Sequence, residues 1–205
     1  MVQPLERLKE SPSQTAGPYV HIGCTPNFAE IEGVYPQDLG HEMITGDVQG
    51  QRIRITGHVI DGTGTPLRDA MIEIWQPDAA GLFNSPAETR GTADPNFTGW
   101  GRCASDMTTG EFAFDTVKPG AVPFVDGRMQ APHVTLWIVA RGINLGLHTR
   151  MYFPDEAEAN ADDPILSRIE HQTRIKTLMG EDKGDGHIHF DIRLQGHNET
   201  VFFDI

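Results

Sequence analysis

The sequence is poor in cysteine, tyrosine and basic residues, and these shortages exclude several classes of protein. Its 205 residues include 2 Cys and 3 Tyr, and 16 Lys and Arg stand against 29 Asp and Glu, for a formal net charge of -13. The two cysteines, Cys24 and Cys103, lie far apart and favour free thiols over a disulfide framework. The acidic balance argues against nucleic acid or an anionic membrane as a partner, because both require a basic surface.

Long hydrophobic runs are also missing. No stretch approaches the roughly 20 apolar residues that span a bilayer, and nothing after Met1 resembles a signal peptide. We therefore expect a soluble, cytoplasmic protein.

Glycine and proline, by contrast, are frequent and spread along the whole chain. The 22 Gly and 14 Pro are typical of many turns between short strands. Alternation or apolar runs predict strands at 53–59, 70–75, 111–115, 133–141, 148–153, 190–194 and 201–203. Apolar residues at helical spacing predict a helix over 163–170, continued towards 179. The fold class expected is all-β, a two-sheet antiparallel β-sandwich with an extended N-terminal arm and one helix in the C-terminal third.

The chain is expected to have two parts. Residues 1–50 form an N-terminal arm and an irregular segment, and residues 51–205 form the sandwich domain. The stretch from Ser11 to Pro18 is too rich in proline and small residues for a helix or a central strand. An arm of this kind has little reason to be ordered unless another surface receives it.

One series of motifs carries a family resemblance. From Ile55 to Gly81 the sequence has a strand, a Gly-rich turn, a second strand ending in Glu73-Ile-Trp-Gln76, and a Gly turn. Gly101-Arg-Cys103, Lys118-Pro-Gly120 and Ala131-Pro-His-Val-Thr135 follow in order. This arrangement resembles the intradiol ring-cleavage dioxygenases over the central and C-terminal parts of the chain.

The resemblance implies a metal centre that this chain lacks. In the catalytic chains of the family, two tyrosinates and two histidines hold Fe(III), which activates bound catecholate for attack by O2. The corresponding positions here are Phe83, Val122, His133 and Thr135. Only His133 offers a ligand, and a histidine at the start of an apolar strand is more often a structural, hydrogen-bonded group. We therefore expect no catalytic residue and no metal ligand on this chain, with Fe(III) held by a homologous beta subunit in a higher αβ oligomer.

The ends of the chain resemble the iron-free alpha subunits of the heteromeric family members. In those subunits the arm and an arginine after the histidine strand approach the active site of the partner, and the matching residues are Thr15, Ala16, Gly17 and Arg141. A small aromatic substrate that bears a carboxylate needs such a cation. The alternatives are that Arg141 pairs with a nearby carboxylate, that Arg150 takes its role, or that the arm packs on the partner without touching substrate.

His187-Ile-His189 is a second motif with a ligand-like pattern. Both rings are expected on one face of a strand, and Asp182, Asp185 or His197 could complete a zinc or nickel site. Exposed histidines at the entry to a strand are more common than ligands, so we expect no physiological metal at this motif.

Three functions remain after these arguments. The leading one is a subunit that binds no iron, shapes the substrate pocket and supports assembly. The second is a self-sufficient iron dioxygenase with replacement ligands that the sequence does not identify. The third is a transthyretin-like β-sandwich that serves only as a binding module. The missing iron ligands favour the first.

Overall fold

The computed structural model describes residues 15–17 and 19–204, which form two main β-sheets packed on a common core. The strands are β1 (Arg52–Ile60), β2 (Met71–Trp75), β3 (Trp100–Ala104), β4 (Glu111–Val117), β5 (Val122–Pro123), β6 (Met129–Gln130), β7 (His133–Val139), β8 (Leu147–Tyr152), β9 (Glu181–Gly184), β10 (His187–His189) and β11 (Ile192–Arg193). The α-helices are α1 (Tyr19–Cys24) and α2 (Ala157–Asp162), and 3-10 helices span Leu166–Arg168 and Gln172–Leu178. The predicted all-β sandwich with a helix in its C-terminal part is confirmed.

Strand β1 holds the first sheet together. It pairs antiparallel with β4 on one edge, and parallel with β10 and then β11 on the other. Strand β9 extends the sheet beyond β10. The second sheet has the order β3-β2-β7-β8 and is antiparallel throughout, while β5 and β6 form a separate hairpin. The antiparallel pattern expected from the sequence therefore holds except where β1 meets the C-terminal strands.

The core lies between the two sheets, and strand alternation explains its composition. Because successive side chains of a strand point to opposite faces, Ile53, Ile55 and Val59 of β1 enter the core while Thr56 and His58 face away from it. The second sheet contributes every other residue in the same way, and these are Ile72, Ile74, Val134, Leu136 and Ile138. The opposite face of the second sheet is thereby left with Trp75, His133 and Thr135.

The C-terminal helical segment differs from its prediction in position and in type. Helix α2 ends at Asp162, before the predicted helix begins, because Pro164 has no backbone N–H and forces the preceding residue into an extended conformation. The side chain of Asp163 then accepts hydrogen bonds from the backbone N–H groups of Ile165 and Leu166 at 2.7 and 2.8 Å. The apolar pattern did identify the packed residues, which form a second cluster around Tyr152: Leu166, Ile169, Ile175, Leu178 and Met179.

Other segments also depart from the sequence expectations. Strands β3, β5, β6 and β9 were not predicted, and the strand predicted at 201–203 is reduced to one bridge between Phe203 and His148. Residues 1–14 and 18 of the predicted arm lie outside the described residues, and Tyr19 begins a short helix. Cys24 and Cys103 are free thiols. No helix within residues 15–17 and 19–204 is long and apolar enough to cross a membrane.

Gly57 allows the closest backbone contact in the first sheet. A Cβ atom at this position would lie 1.9 Å from the carbonyl oxygen of Phe190 and 2.8 Å from the ring of Phe112. We expect Gly57→Ala to lower the free energy of unfolding by about 1–3 kcal/mol, the usual cost of overpacking, as measured by urea denaturation. Gly23→Ala is the control, since a Cβ there meets nothing within 4 Å. Equal stabilities of the two variants would contradict this role of Gly57.

Candidate active site

The positions that correspond to the iron ligands lie around the end of β2. Trp75 closes that strand and is opposite Thr135 of β7 in the sheet register. The ring of Phe83 stacks on Trp75 with a centroid separation of 5.9 Å and an interplanar angle of 7°. The indole is 38% exposed, so this stack forms the wall of an open cleft.

Val122 lies in the same cleft, which supports its match to the second tyrosine position. The cleft has a volume of about 390 Å³ and is lined by Trp75, Phe83, Ser85, Ala87, Glu88, Thr89, Arg90, Val122 and Pro123. Glu88 holds the backbone of Phe83 in place, because its carboxylate accepts a hydrogen bond from the backbone N–H of Phe83 at 3.1 Å. Hydrogen bonds from Arg90 lower the pKa of Glu88 to about 2, so this group stays ionised.

His133 begins β7 and is 5% exposed. Its Nδ1 donates a hydrogen bond to the carbonyl oxygen of Ala131 at 2.7 Å. Burial, together with the positive charge of Arg150, lowers the pKa of His133 to about 4. The imidazole is therefore neutral at physiological pH and already committed to the backbone, which agrees with a structural group.

Tyr152 is the tyrosine nearest to His133, and it does not replace the missing tyrosinates. The two residues are opposite each other in the register of β7 and β8, with ring centroids 5.5 Å apart. The phenol is fully buried, donates a hydrogen bond to Asp163 at 3.5 Å and accepts one from Arg150 at 3.3 Å. Burial raises the pKa of Tyr152 far above its ordinary value, so the phenol keeps its proton.

These residues do not fit the ferric centre of the family. Phe83 and Val122 have no donor atom, Thr135 supplies only a neutral hydroxyl, and His133 is one imidazole. Fe(III) prefers several anionic oxygen ligands, and none of these four positions supplies one. Among the residues that the structure describes, no group of three or more histidines, cysteines or carboxylates gathers at these positions.

The four residues predicted to bind substrate come together at another place in the structure. Thr15 Oγ1 accepts a hydrogen bond from the backbone N–H of Gly142 at 2.7 Å, which fixes the start of the described chain beside Arg141. Ala16, Gly17 and Arg141 line a cavity of about 320 Å³, together with residues of α1 and with Asp69. The sequence prediction thus identified one surface, although residues 15 and 141 are far apart in the chain.

Arg141 is paired with a carboxylate, as its alternative interpretation predicted. Its Nε and Nη2 atoms each lie 2.7 Å from Oδ2 of Asp69. The arginine side chain is 72% exposed, so its remaining donors stay accessible. Arg150 has a different environment, because its guanidinium donates to Gln130 and Tyr152 within the structure.

The two histidines of the 187–189 motif share one face, as predicted, but their surroundings differ from the prediction. Both are half-buried rather than exposed, and both contact the hydroxyl of Thr56 on β1. The residues that gather with His189 are His58 and Asp191, not Asp182, Asp185 or His197. Nothing in the sequence indicated that His58 joins this group, because it is 131 positions from His189 and no residue near it in the chain has the spacing of a metal-ligand motif.

The buried imidazole of His133 should make stability fall in acid. The unfolded chain binds a proton on this group below about pH 6.5, whereas the folded state does so only below about pH 4. Lowering the pH through this window therefore favours unfolding. We expect His133→Gln to reduce the acid-dependent loss of unfolding free energy by roughly 3 kcal/mol at most, as measured by urea denaturation at several pH values. The exposed His171→Gln is the control, and an unchanged pH dependence in His133→Gln would contradict the assignment.

Comparison with known proteins agrees with the motifs and the fold. A family model described as a dioxygenase matches residues 24–196. The chain is 43% identical over 204 residues to the protocatechuate 3,4-dioxygenase alpha chain of Pseudomonas putida, covering 98% of this chain and 99% of the relative. It is 33% identical over 182 residues to the protocatechuate 3,4-dioxygenase beta chain of Burkholderia cepacia, covering 84% and 77%. The structure of 3-chlorocatechol 1,2-dioxygenase from Rhodococcus opacus 1CP shares the fold with a TM-score of 0.57 at 20% identity, over 80% of this chain and 67% of that chain. The chain belongs to the intradiol ring-cleavage dioxygenase family.

Proposed function

We propose that the chain is the alpha subunit, free of catalytic iron, of a heteromeric intradiol dioxygenase. The enzyme would cleave protocatechuate (3,4-dihydroxybenzoate) with O2 to 3-carboxy-cis,cis-muconate in the breakdown of aromatic compounds. The observation that carries the proposal is that Phe83 and Val122 line one cleft beside Trp75, with Thr135 opposite Trp75 in the sheet, and that these three residues match iron-ligand positions of the family without its tyrosinate and imidazole groups. Similarity to an alpha chain over almost the whole length supports the same assignment.

The proposal places the catalytic iron on a partner chain. This chain is similar to both an alpha chain and a beta chain of the same named enzyme, which is what two homologous subunits of one assembly would produce. When bound there, Fe(III) would act as the Lewis acid that activates the catecholate for reaction with O2. The residues of the present chain would bind and orient the substrate and cover the pocket.

Arg141 is the residue that we propose to bind the substrate carboxylate. Its pair with Asp69 uses one carboxylate oxygen and leaves most of the guanidinium exposed. An incoming carboxylate can therefore add a charge-assisted hydrogen bond while Asp69 holds the side chain in place. In a chain with a net charge of -13, this local cation would offset a repulsive field.

Thr15, Ala16 and Gly17 would form the edge of the same pocket. The hydroxyl of Thr15 bonds to the backbone on both sides of Arg141, accepting from Gly142 and donating to the carbonyl oxygen of Ala140 at 3.3 Å. Small side chains at 16 and 17 permit a ring to approach the backbone closely. We propose a division of the chain into an N-terminal arm and irregular segment, residues 1–50, and a sandwich domain, residues 51–205, to whose core Met43 and Val48 also contribute. The free thiols of Cys24 and Cys103 suit the proposed cytoplasmic location.

Measuring iron in each chain tests directly whether the partner, and not this chain, binds the catalytic iron. We expect the chain purified alone to be colourless and free of iron, and the complex formed with a co-expressed beta subunit to show tyrosinate-to-iron absorption and to cleave protocatechuate. The measurements are the visible spectrum, the iron content and the ring-cleavage rate of each preparation. Colour and iron in the isolated chain would instead support a self-sufficient dioxygenase. Failure to form any complex would support a simple binding module.

The role of Arg141 can be tested in the same complex. We expect Arg141→Gln to raise KM for protocatechuate roughly 10- to 100-fold, as the loss of a charged hydrogen bond of about 1.5–3 kcal/mol predicts. The variant should not change turnover of catechol, which has no carboxylate. Arg128→Gln is the control, because Arg128 is also an exposed arginine paired with an aspartate. An unchanged KM for protocatechuate, or an equal effect on both substrates, would remove Arg141 from the substrate pocket.

A further inference from the structure

His58, His189 and Asp191 form a compact group on the outer face of the first sheet. His58 is on β1, His189 is the last residue of β10, and Asp191 lies in the link between β10 and β11. One ligand atom from each residue falls within 4.8 Å of the others. It is the only group of this kind among the described residues, and none of its members occupies a position of the family's iron ligands.

The two distances from Asp191 to the imidazoles match the edges of a metal coordination shell, and the third pair of ligand atoms lies within 4.8 Å. Oδ1 of Asp191 lies 3.3 Å from Nδ1 of His58 and 3.1 Å from Nε2 of His189. In a tetrahedral zinc site with bonds of about 2.0–2.1 Å, neighbouring ligand atoms are about 3.3–3.4 Å apart. A small adjustment of side chains would therefore place one ion in contact with all three groups.

The hydrogen bonds around His189 orient its ring for ligation. Nδ1 of His189 lies 3.2 Å from Oγ1 of Thr56, and the same oxygen lies 2.8 Å from Nε2 of His187. When Nδ1–H of His189 donates to the threonine oxygen, the hydroxyl is free to donate to His187. This tautomer leaves the lone pair of Nε2 for an ion placed between His189 and Asp191, and support of this type is usual for metal-bound histidines. Without an ion, the other tautomer lets Nε2–H donate to Asp191.

The group is also accessible and has room for a further ligand. The side chains of His58, His189 and Asp191 are 25%, 23% and 28% exposed. His189 and Asp191 line an open cleft of about 330 Å³. The second carboxylate oxygen, Oδ2, lies 3.7 Å from Arg193, which leaves Oδ1 directed at the imidazoles.

We propose that His58, His189 and Asp191 bind one divalent transition-metal ion of the zinc class, with a solvent molecule as the fourth ligand. Two neutral imidazoles and one carboxylate are a set that Zn²⁺ accepts, whereas Mg²⁺ and Ca²⁺ prefer oxygen alone. The sequence by itself argued against a metal at His187 and His189, a prediction made without the contact between His58 and His189 that the fold provides. The site does not depend on the proposed function.

A metal at this site would act as a crosslink in the fold. His58 and Asp191 are 133 positions apart, and the ion would join β1 to the junction of β10 and β11. Binding to the folded state alone shifts the unfolding equilibrium, so stability would rise with the concentration of the ion. The residues facing the site from the packed elements are Thr56, His187 and Arg193.

Zinc binding to the full chain, purified with its co-expressed partner and freed of loosely bound metal, tests the proposal. We expect about one equivalent of Zn²⁺ per chain above the iron content, together with a rise in the thermal midpoint. Co²⁺ in place of Zn²⁺ should give the intense visible absorption of a tetrahedral site. His58→Gln and Asp191→Asn should each abolish this equivalent, while Thr56→Val should weaken binding roughly 10- to 100-fold through the orientation of His189.

The controls separate a built site from adventitious binding. His171→Gln removes an exposed histidine elsewhere and should leave zinc binding unchanged. Asp191→Asn keeps the shape of the side chain, so its far-ultraviolet circular dichroism should match that of the unmodified chain. Equal zinc binding in the unmodified chain, His58→Gln and Asp191→Asn would overturn the proposal, and so would the absence of any zinc-dependent midpoint shift. Either result would leave Asp191 as a hydrogen-bond acceptor for two imidazoles, and neither would bear on the role of Arg141.

Discussion

Backbone pairing on both edges of β1 is the constraint on which the rest of the structure depends. One edge is filled by seven residue pairs with β4, and the other by β10 and β11 in parallel. The strand cannot slip by one residue without moving Ile53, Ile55 and Val59 out of the core. The same register fixes Thr56 and His58 on the opposite face. A glycine at 57 then lets the chain at Phe190 approach closely enough to bring Asp191 beside His58.

The cleft beside β2 shows how the family fold keeps its architecture with Phe83 and Val122 at positions that match iron ligands of the family. An aromatic ring at position 83 stacks on Trp75 whether or not it carries a hydroxyl, so packing alone is sufficient to preserve the wall. His133 likewise keeps a structural hydrogen bond to Ala131. Packing and hydrogen bonding at these positions therefore do not depend on a bound metal ion.

Arg141 and Arg150 show how the local environment of a guanidinium determines which of its donors are accessible. Arg141 and Arg150 are both arginines near the second sheet, yet Arg150 is committed to internal acceptors and to lowering the pKa of His133. Arg141 is exposed, and its partner Asp69 is itself placed by α1, where His21 donates from Nε2 to the carbonyl oxygen of Asp69 at 3.0 Å. Arg141 is therefore held in place by one carboxylate and keeps exposed donors, whereas Arg150 is enclosed by internal acceptors.

The sequence by itself determined the sandwich, most of its strands, the family and the residue types at the positions that match the family's iron ligands. Each of these follows from local patterns: alternation that must fit a pleated sheet, turns that require Gly or Pro, and residue types at motif positions. It also paired the arm with Arg141, although only through the resemblance. The sequence did not predict that the C-terminal helices are short and mostly of the 3-10 type. Pro164 ends the first helix and Asp163 caps the next turn, and these local effects outweighed the helical spacing of the apolar residues. Strand β3 was not predicted either, since its sequence around Gly101 and Arg102 shows no clear alternation of apolar and polar residues. Only the tertiary structure brought His58 to His189 and Asp191, because a parallel pairing across more than a hundred residues leaves no periodic trace in the chain.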